Sequence, residues 1–290
     1  SGNQMKLNVV TPIHDNDLNL FISRIHETVT ALNASFFSDW EWIVVIQSKV
    51  QISEKILKII LDFNVVVNVT ERYSVSKARN QGIDYFNNSD GAIYFLDCDA
   101  VPAVELLNYF HDQLSLGHII SSGKIIWCSA DGCKKKEIHS MLSDCSIAIP
   151  SSLSLFNTFL GCYCFSCDSI LKTKVRFVED IGPGDGTMYK AGEDALFISD
   201  LIAANNISWI QFKPSVSVSH PLRPSDNSKE ILYARGQVHT YKIIIYNNYP
   251  LSMRCIAFSY LFMFATNGFI KVFFRKKNAL SLLRVRLNSL

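Results

Sequence analysis

A chain of 290 residues with 48% hydrophobic side chains is ample for one large domain or two small ones. Its 28 Lys and Arg against 26 Asp and Glu leave a formal charge of +2, which excludes a strongly basic nucleic-acid binder. The eight cysteines follow no visible secretory signal, since Met5-Lys6-Leu7 leads straight into a short apolar strand, so reduced thiols in a cytoplasmic protein are expected.

The first predicted element is a strand over residues 6–11 (KLNVVT), broken by Pro12. Asp17 has the chemistry to cap a helix over 18–32, where Leu18, Phe21, Ile22, Ile25 and Val29 fall at helical spacing. A fully apolar strand over 42–46 (WIVVI), a helix over 53–62, a strand over 65–69 and a helix over 74–87 follow. The fourth strand, 92–96, delivers Asp97 and Asp99. Strands that are continuously apolar are covered on both faces, and their alternation with helices gives a doubly wound, mostly parallel sheet. A nucleotide is the default ligand at the carboxyl ends of such strands. Neither G-x-G-x-x-G nor G-x-x-x-x-G-K follows the first strand, so a dinucleotide fold and a P-loop are not supported.

The second half reads differently. A helix over 103–114 and a strand over 118–127 precede a polar loop at 129–136, and 161–166 reads as a strand. Cys162, Cys164 and Cys167 start with strand periodicity, and no second pair with zinc-finger spacing accompanies them. Gly182-Pro183-Gly184-Asp185-Gly186 has turn chemistry throughout and opens into Gly192-Glu193-Asp194, the start of a helix to about residue 204. Short strands at 208–212 and 215–219 end at His220-Pro221. A helix over 225–248 carries Tyr233, Arg235, His239 and Tyr241. The uncharged apolar run at 255–270 is shorter than the roughly 20 residues needed to span hydrocarbon. With Phe273 to Lys277 and a basic tail holding Arg284 and Arg286, it fits an interfacial helix on an anionic membrane surface. A helix packed on the preceding domain, or a homodimer interface, is the alternative.

Two carboxylates one residue apart after a buried strand suit Mg²⁺ or Mn²⁺ carrying substrate phosphates. Asp-x-Asp occurs twice here, at Asp15/Asp17 and Asp97/Asp99, where composition alone predicts roughly one, so the spacing by itself says little. The order of several motifs is more informative than this spacing. A strand into Thr11-Pro12, then Ser76-Lys77-Ala78-Arg79-Asn80-Gln81-Gly82, then Asp97-Cys98-Asp99, then Gly192-Glu193-Asp194, resembles the inverting nucleotide-sugar glycosyltransferases of family 2. The likeness runs over roughly residues 6–222.

The resemblance implies an α/β GT-A (Rossmann-like) mixed, mostly parallel sheet flanked by helices, with a C-terminal helical extension. A catalytic domain over 5–222, split into a nucleotide-sugar half (5–100) and an acceptor half (101–222), would precede the extension at 223–290. It also implies Mn²⁺ or Mg²⁺ and a nucleotide-diphosphate sugar, first a UDP-sugar. Asp99 would ligate the metal, Asp97 the metal or ribose, and His220, held at a strand end, would complete the shell. Asp194 would be the catalytic base with Glu193 beside it. The donor would be held by Thr11, Pro12, His14, Asp15, Gln47, Lys77, Arg79, Asn80, Asp97, Cys98 and Arg223. Gln47 stands where the family commonly has an acid on the base, and its amide can both donate and accept. The expected activity is transfer to a glycan or lipid-linked acceptor in bacterial surface-polysaccharide synthesis, at the inner face of the cell membrane. An inactive nucleotide-sugar-binding scaffold and a sugar nucleotidyltransferase are the rival readings.

Overall fold

The computed structural model describes residues 5–128, 145–221, 228–273 and 279–289. The first half is built as the apolar pattern dictates: β1 (Lys6–His14), α1 (Leu18–Asn33), β2 (Asp39–Gln47), α2 (Glu54–Leu61), β3 (Val66–Thr70), α3 (Val75–Tyr85) and β4 (Ala92–Phe95). β1 pairs in parallel with β2 and β4, and β2 with β3, so four strands end on the same side. Residues 7–13 of β1 and 42–46 of β2 are buried throughout, as strands covered on both faces must be.

The next elements are β5 (Val101–Pro102), α4 (Val104–Ser115), β6 (Ile120–Cys128), β7 (Ile147–Pro150), β8 (Tyr163–Ser166), α5 (Cys167–Leu171), α6 (Glu193–Ala204) and β9 (Trp209–Pro221). The sheet runs β3-β2-β1-β4-β8-β6-β9-β5, with β7 paired to β9. β8 is antiparallel to β4 and β6, which makes the sheet mixed.

Four expectations need correction. The two short strands at 208–212 and 215–219 form one strand, β9, whose register against β6 jumps between Ser122↔Phe212 and Lys124↔Ser217. Residues 213–216 therefore oppose Gly123, and Pro214, which has no N–H to give the ladder, sits in this bulge. Asp17 makes no side-chain cap bond to α1; instead the 3-10 turn Asp15–Asp17 precedes the helix, and His14 Nδ1 accepts from the Asn16 N–H at 3.2 Å. The strand expected from Gly161 starts at Tyr163, after a 3-10 turn at Leu160–Cys162. The cysteines are not uniformly reduced: Cys128 is disulfide-bonded, while Cys98, Cys145, Cys162, Cys164, Cys167 and Cys255 are free.

Three helices close the chain: α7 (Ser228–Tyr246), α8 (Leu251–Phe273) and α9 (Ala279–Ser289). Val238, Tyr241 and Ile244 of α7 and Met253, Ala257 and Leu261 of α8 belong to the same apolar cluster as the strands. The Tyr249 hydroxyl, at the α7–α8 corner, donates to Asp200 of α6. No helix among the described residues is long and apolar enough to cross a membrane. The basic tail is not uniformly exposed, because Arg286 is buried, its guanidinium 3.7 Å from the Phe264 ring centroid and donating to the Phe264 carbonyl at 2.8 Å.

Candidate active site

A cleft of about 490 Å³ opens at the carboxyl ends of β1, β2 and β4. It is lined by Pro12, His14, Gln47, Arg72, Arg79, Asp97, Cys98, Asp99, Glu193, Asp194 and His220, together with residues from the loops and C-terminal helices.

Its centre is organised by α3. Ser74 caps the helix, its hydroxyl accepting from the Lys77 N–H at 3.0 Å. Gly82 lets α3 lie close to β1, since a Cβ there would sit 2.3 Å from Val10 Cγ1. This seating sends Arg79, 2% exposed, towards the strand ends. Its Nη2 donates to Asp97 Oδ1 at 3.0 Å and its Nη1 to Asp194 Oδ1 at 2.6 Å, with Glu193 Oε1 3.7 Å from Nη1. One buried guanidinium thus faces three carboxylates. Burial works against its charge, and the charges of Asp194, Asp97 and Glu193 outweigh it, so Arg79 stays protonated.

A single cation does not compensate three acids, and burial together with the surplus negative charge shows in the affinities of Glu193 and Asp194 for protons. Burial, reinforced by Asp194, pushes Glu193 up to about 8. Burial also raises Asp194, to about 6, against the pull of Arg79. Glu193 is therefore raised further than Asp194, which leaves Asp194 the readier of the two to ionise. Both acids stand in the first turn of α6, behind Gly192 at φ 104°. A Cβ at Gly192 would lie 2.2 Å from Thr240 Oγ1, so α6 and α7 meet where glycine alone fits.

Asp97, Asp99 and His220 each offer one ligand atom, and the three atoms lie within 4.8 Å of one another. Antiparallel pairing of Val101 with Ser219 brings the Asp97–Asp99 turn beside the end of β9. His220 Nε2 is 3.1 Å from Asp99 Oδ1, and Nδ1 is 2.8 Å from the Pro221 carbonyl. The ring is held edge-on by Trp127 and Phe159, at centroid distances of 4.9 and 5.2 Å. Burial disfavours the imidazolium, yet the hydrogen bond and charge of Asp99, with the Pro221 carbonyl and the charge of Asp97, together outweigh it, so His220 is raised above the usual histidine value. Two carboxylates and an imidazole suit Mn²⁺, with Mg²⁺ served less well by the nitrogen.

At the other end, Gln47 Oε1 accepts from the Tyr73 N–H at 3.1 Å, which leaves its amide N–H groups as the donors available to a ligand. Asp15 lies beside this end, accepting from Arg72 and, at 2.8 Å, from the Ser48 hydroxyl. Burial pushes the thiol of Cys98 well up, so it lines the cleft as a neutral group.

Four residues assigned to the donor by resemblance do not line the cleft, Asp15 being one of them. Thr11 is fully buried and accepts from Trp42 Nε1 at 2.9 Å. Asn80 donates to the Phe177 carbonyl and Glu179 Oε1, both at 3.0 Å, and accepts from the Phe177 N–H at 2.9 Å, so it anchors a loop. Lys77 Nζ sits 5.1 Å from the Tyr73 ring centroid. Arg223 lies outside the described residues.

Sequence reasoning missed Arg72, Tyr73, Asp185, Gln237 and Tyr260, all of which line the cleft. Arg72 and Tyr73 follow the end of β3, where the strand-end rule already directs attention. Gln237 and Tyr260 come from remote helices, and no local pattern marks them.

Solved structures share this architecture. The TarS fragment 1–349 of S. aureus is 16% identical with a TM-score of 0.61, over 91% of this chain and 74% of that one. The same fragment in complex with UDP-GlcNAc gives 14% identity and a TM-score of 0.57, over 84% and 68%. GalNAc-T7 with UDP, GalNAc and Mn²⁺ gives 13% and 0.56, over 84% and 48%. The chain spans 40% of the longer TarS structure. No protein of curated function matches the sequence. The model of glycosyl transferase family 2 matches residues 9–168, more than half of the chain. The chain belongs to glycosyl transferase family 2 and has the mixed, mostly parallel α/β sheet of its GT-A fold.

Proposed function

We propose that this protein is an inverting, metal-dependent glycosyltransferase that moves a sugar from a nucleotide-diphosphate sugar, a UDP-sugar first, to a hydroxyl of a glycan or lipid-linked acceptor. The observation that carries the reading is the convergence of Asp194, Asp97, Asp99 and His220 on one cleft, tied by Arg79. Asp99, Asp97 and His220 would hold a divalent cation, which as a Lewis acid would neutralise the leaving diphosphate. Asp194, the less strongly raised of the two acids and partly open to the cleft, takes the proton of the acceptor hydroxyl. The hydroxyl oxygen bonds to the anomeric carbon as the bond to the diphosphate breaks, and the electron pair leaves with the nucleotide. Attack opposite the leaving group inverts the anomeric centre. Gln47 offers N–H groups to a carbonyl of the base, a reading favoured by its oxygen being engaged by Tyr73.

A screen of nucleotide sugars with Mn²⁺ or Mg²⁺, read as released nucleotide, tests the activity. Chelation of the metal, or Asp99→Ala, is expected to lower turnover by about 10²-fold or more, since several kcal/mol of charge stabilisation are lost. Unchanged turnover in EDTA would remove the cation from the mechanism. Nucleotide binding without release from any donor would favour an inactive scaffold.

Bacterial surface-polysaccharide synthesis at the inner membrane face is the setting we infer. Its support is the exposed face of α8, where Leu251, Phe258 and Phe262 stand out at helical spacing, and the basic Arg275-Lys276-Lys277 that follows in sequence. The chain is expected to sediment with vesicles containing anionic phospholipid, and Phe258→Ser with Phe262→Ser to release it. Concentration-dependent dimerisation without sedimentation would assign the face to a second copy.

A further inference from the structure

The cleft has more wall than a donor and a cation need. Beyond Asp194 it continues between the loop before Leu160 and the C-terminal helices, where Thr158, Phe159, Tyr233, Gln237, Tyr241 and Tyr260 line it. Four of these belong to α7 and α8, far outside the residues 9–168 that the family model matches. This end therefore lies outside the part of the chain that the family model describes.

Its chemistry is uniform. None of the six side chains carries a charge, four are aromatic, and Gln237 supplies an amide that both donates and accepts. Among the described residues, such a surface has no cation for a phosphate and no continuous aliphatic wall for a lipid tail. It suits a ring with apolar C–H faces and hydroxyls at its edge, as a pyranose has. Aromatic faces bury the C–H patches, and a few placed polar groups fix orientation.

The wall is also fixed in advance. Tyr241 is 5% exposed, donates to the Leu155 carbonyl at 3.3 Å, and stacks on Tyr260 with centroids 4.5 Å apart at 25°. Phe156 flanks Tyr260 at 6.0 Å. The helix bearing Gln237 is seated directly on the catalytic loop: a Cβ at Gly236 would lie 2.2 Å from the Ala191 carbonyl oxygen, two residues before Glu193. A rigid wall next to the base is what placing one hydroxyl within reach of Asp194 demands.

We propose that α7 and α8 complete the acceptor subsite, and that the acceptor presents a neutral sugar ring there, stacked on Tyr260 and hydrogen-bonded by Gln237. The proposal rests on the glycosyltransferase reading, and its test separates the two. Saturation-transfer NMR is run on the full chain with UDP and diamagnetic Mg²⁺, adding a panel of methyl hexosides and methyl N-acetylhexosaminides as acceptor probes. UDP is expected to bind wild type and variants alike, which also reports folding. At least one glycoside is expected to bind wild type, and to bind Gln237→Ala and Tyr260→Ala about tenfold more weakly, the effect of losing one or two polar or stacking contacts. UDP binding with no glycoside signal, or equal glycoside binding in both variants, overturns the subsite and leaves the donor reading standing. Absence of UDP binding overturns both.

Discussion

Asp194→Asn is expected to lower sugar transfer by about 10²–10⁴-fold while leaving UDP binding intact, because a positioned base contributes that much and the amide cannot accept the proton. The variant keeps the size of the side chain and a hydrogen-bond acceptor for Arg79 Nη1, 2.6 Å away in the wild type. A pH profile gives a second readout. Burial raises Asp194 to about 6, and the base works when deprotonated, so wild-type turnover is expected to rise with pH through about 6. The residual activity of the variant should lack that limb. A variant with wild-type turnover, or with the same acid limb, would assign the proton to another group.

Arg79→Met is expected to destabilise the fold by about 3–5 kcal/mol, the cost of breaking a buried ion pair from one side. It leaves Asp97, Asp194 and Glu193 facing one another without a countercharge. The folded-state proton affinities of Glu193 and Asp194, already raised by burial, then rise further above those of the unfolded chain. That penalty is absent below the unfolded carboxylate values near about 4 and grows as pH rises through and above them. The loss of Tm relative to wild type should therefore shrink in acid. Arg79→Lys should recover part of the stability, since an ammonium restores the charge but cannot fork to Asp97 and Asp194 together. A Tm equal to wild type at neutral pH would show that the acids are compensated elsewhere.

The nucleotide-side half of the fold was legible because its information is local. Runs such as 42–46 are buried on both faces and so read as apolar without interruption, and the Asp97–Asp99 turn follows such a strand directly. Arg79, Glu193 and Asp194 were visible as members of ordered motifs, although their mutual contacts, across 115 residues for Arg79 and Asp194, were not. Asn80 belongs to the same motif yet serves a loop at Phe177, because motif membership does not say which way a helical side chain is drawn. β9 was split in two by Pro214, whose effect on a strand depends on whether a partner can bulge around it. Arg286 read as part of a basic tail facing an anionic membrane surface, whereas packing of α9 on α8 buries it against Phe264. Gln237 and Tyr260 depend on where two distant helices come to rest, and hydrophobic periodicity is silent about that.

The proton NMR spectrum of freshly formed product, made from an α-linked UDP-sugar that the screen identifies, tests transfer with Asp194 as base most directly. Attack from the face opposite the diphosphate predicts a β anomeric linkage in the first product formed. An α linkage would contradict it.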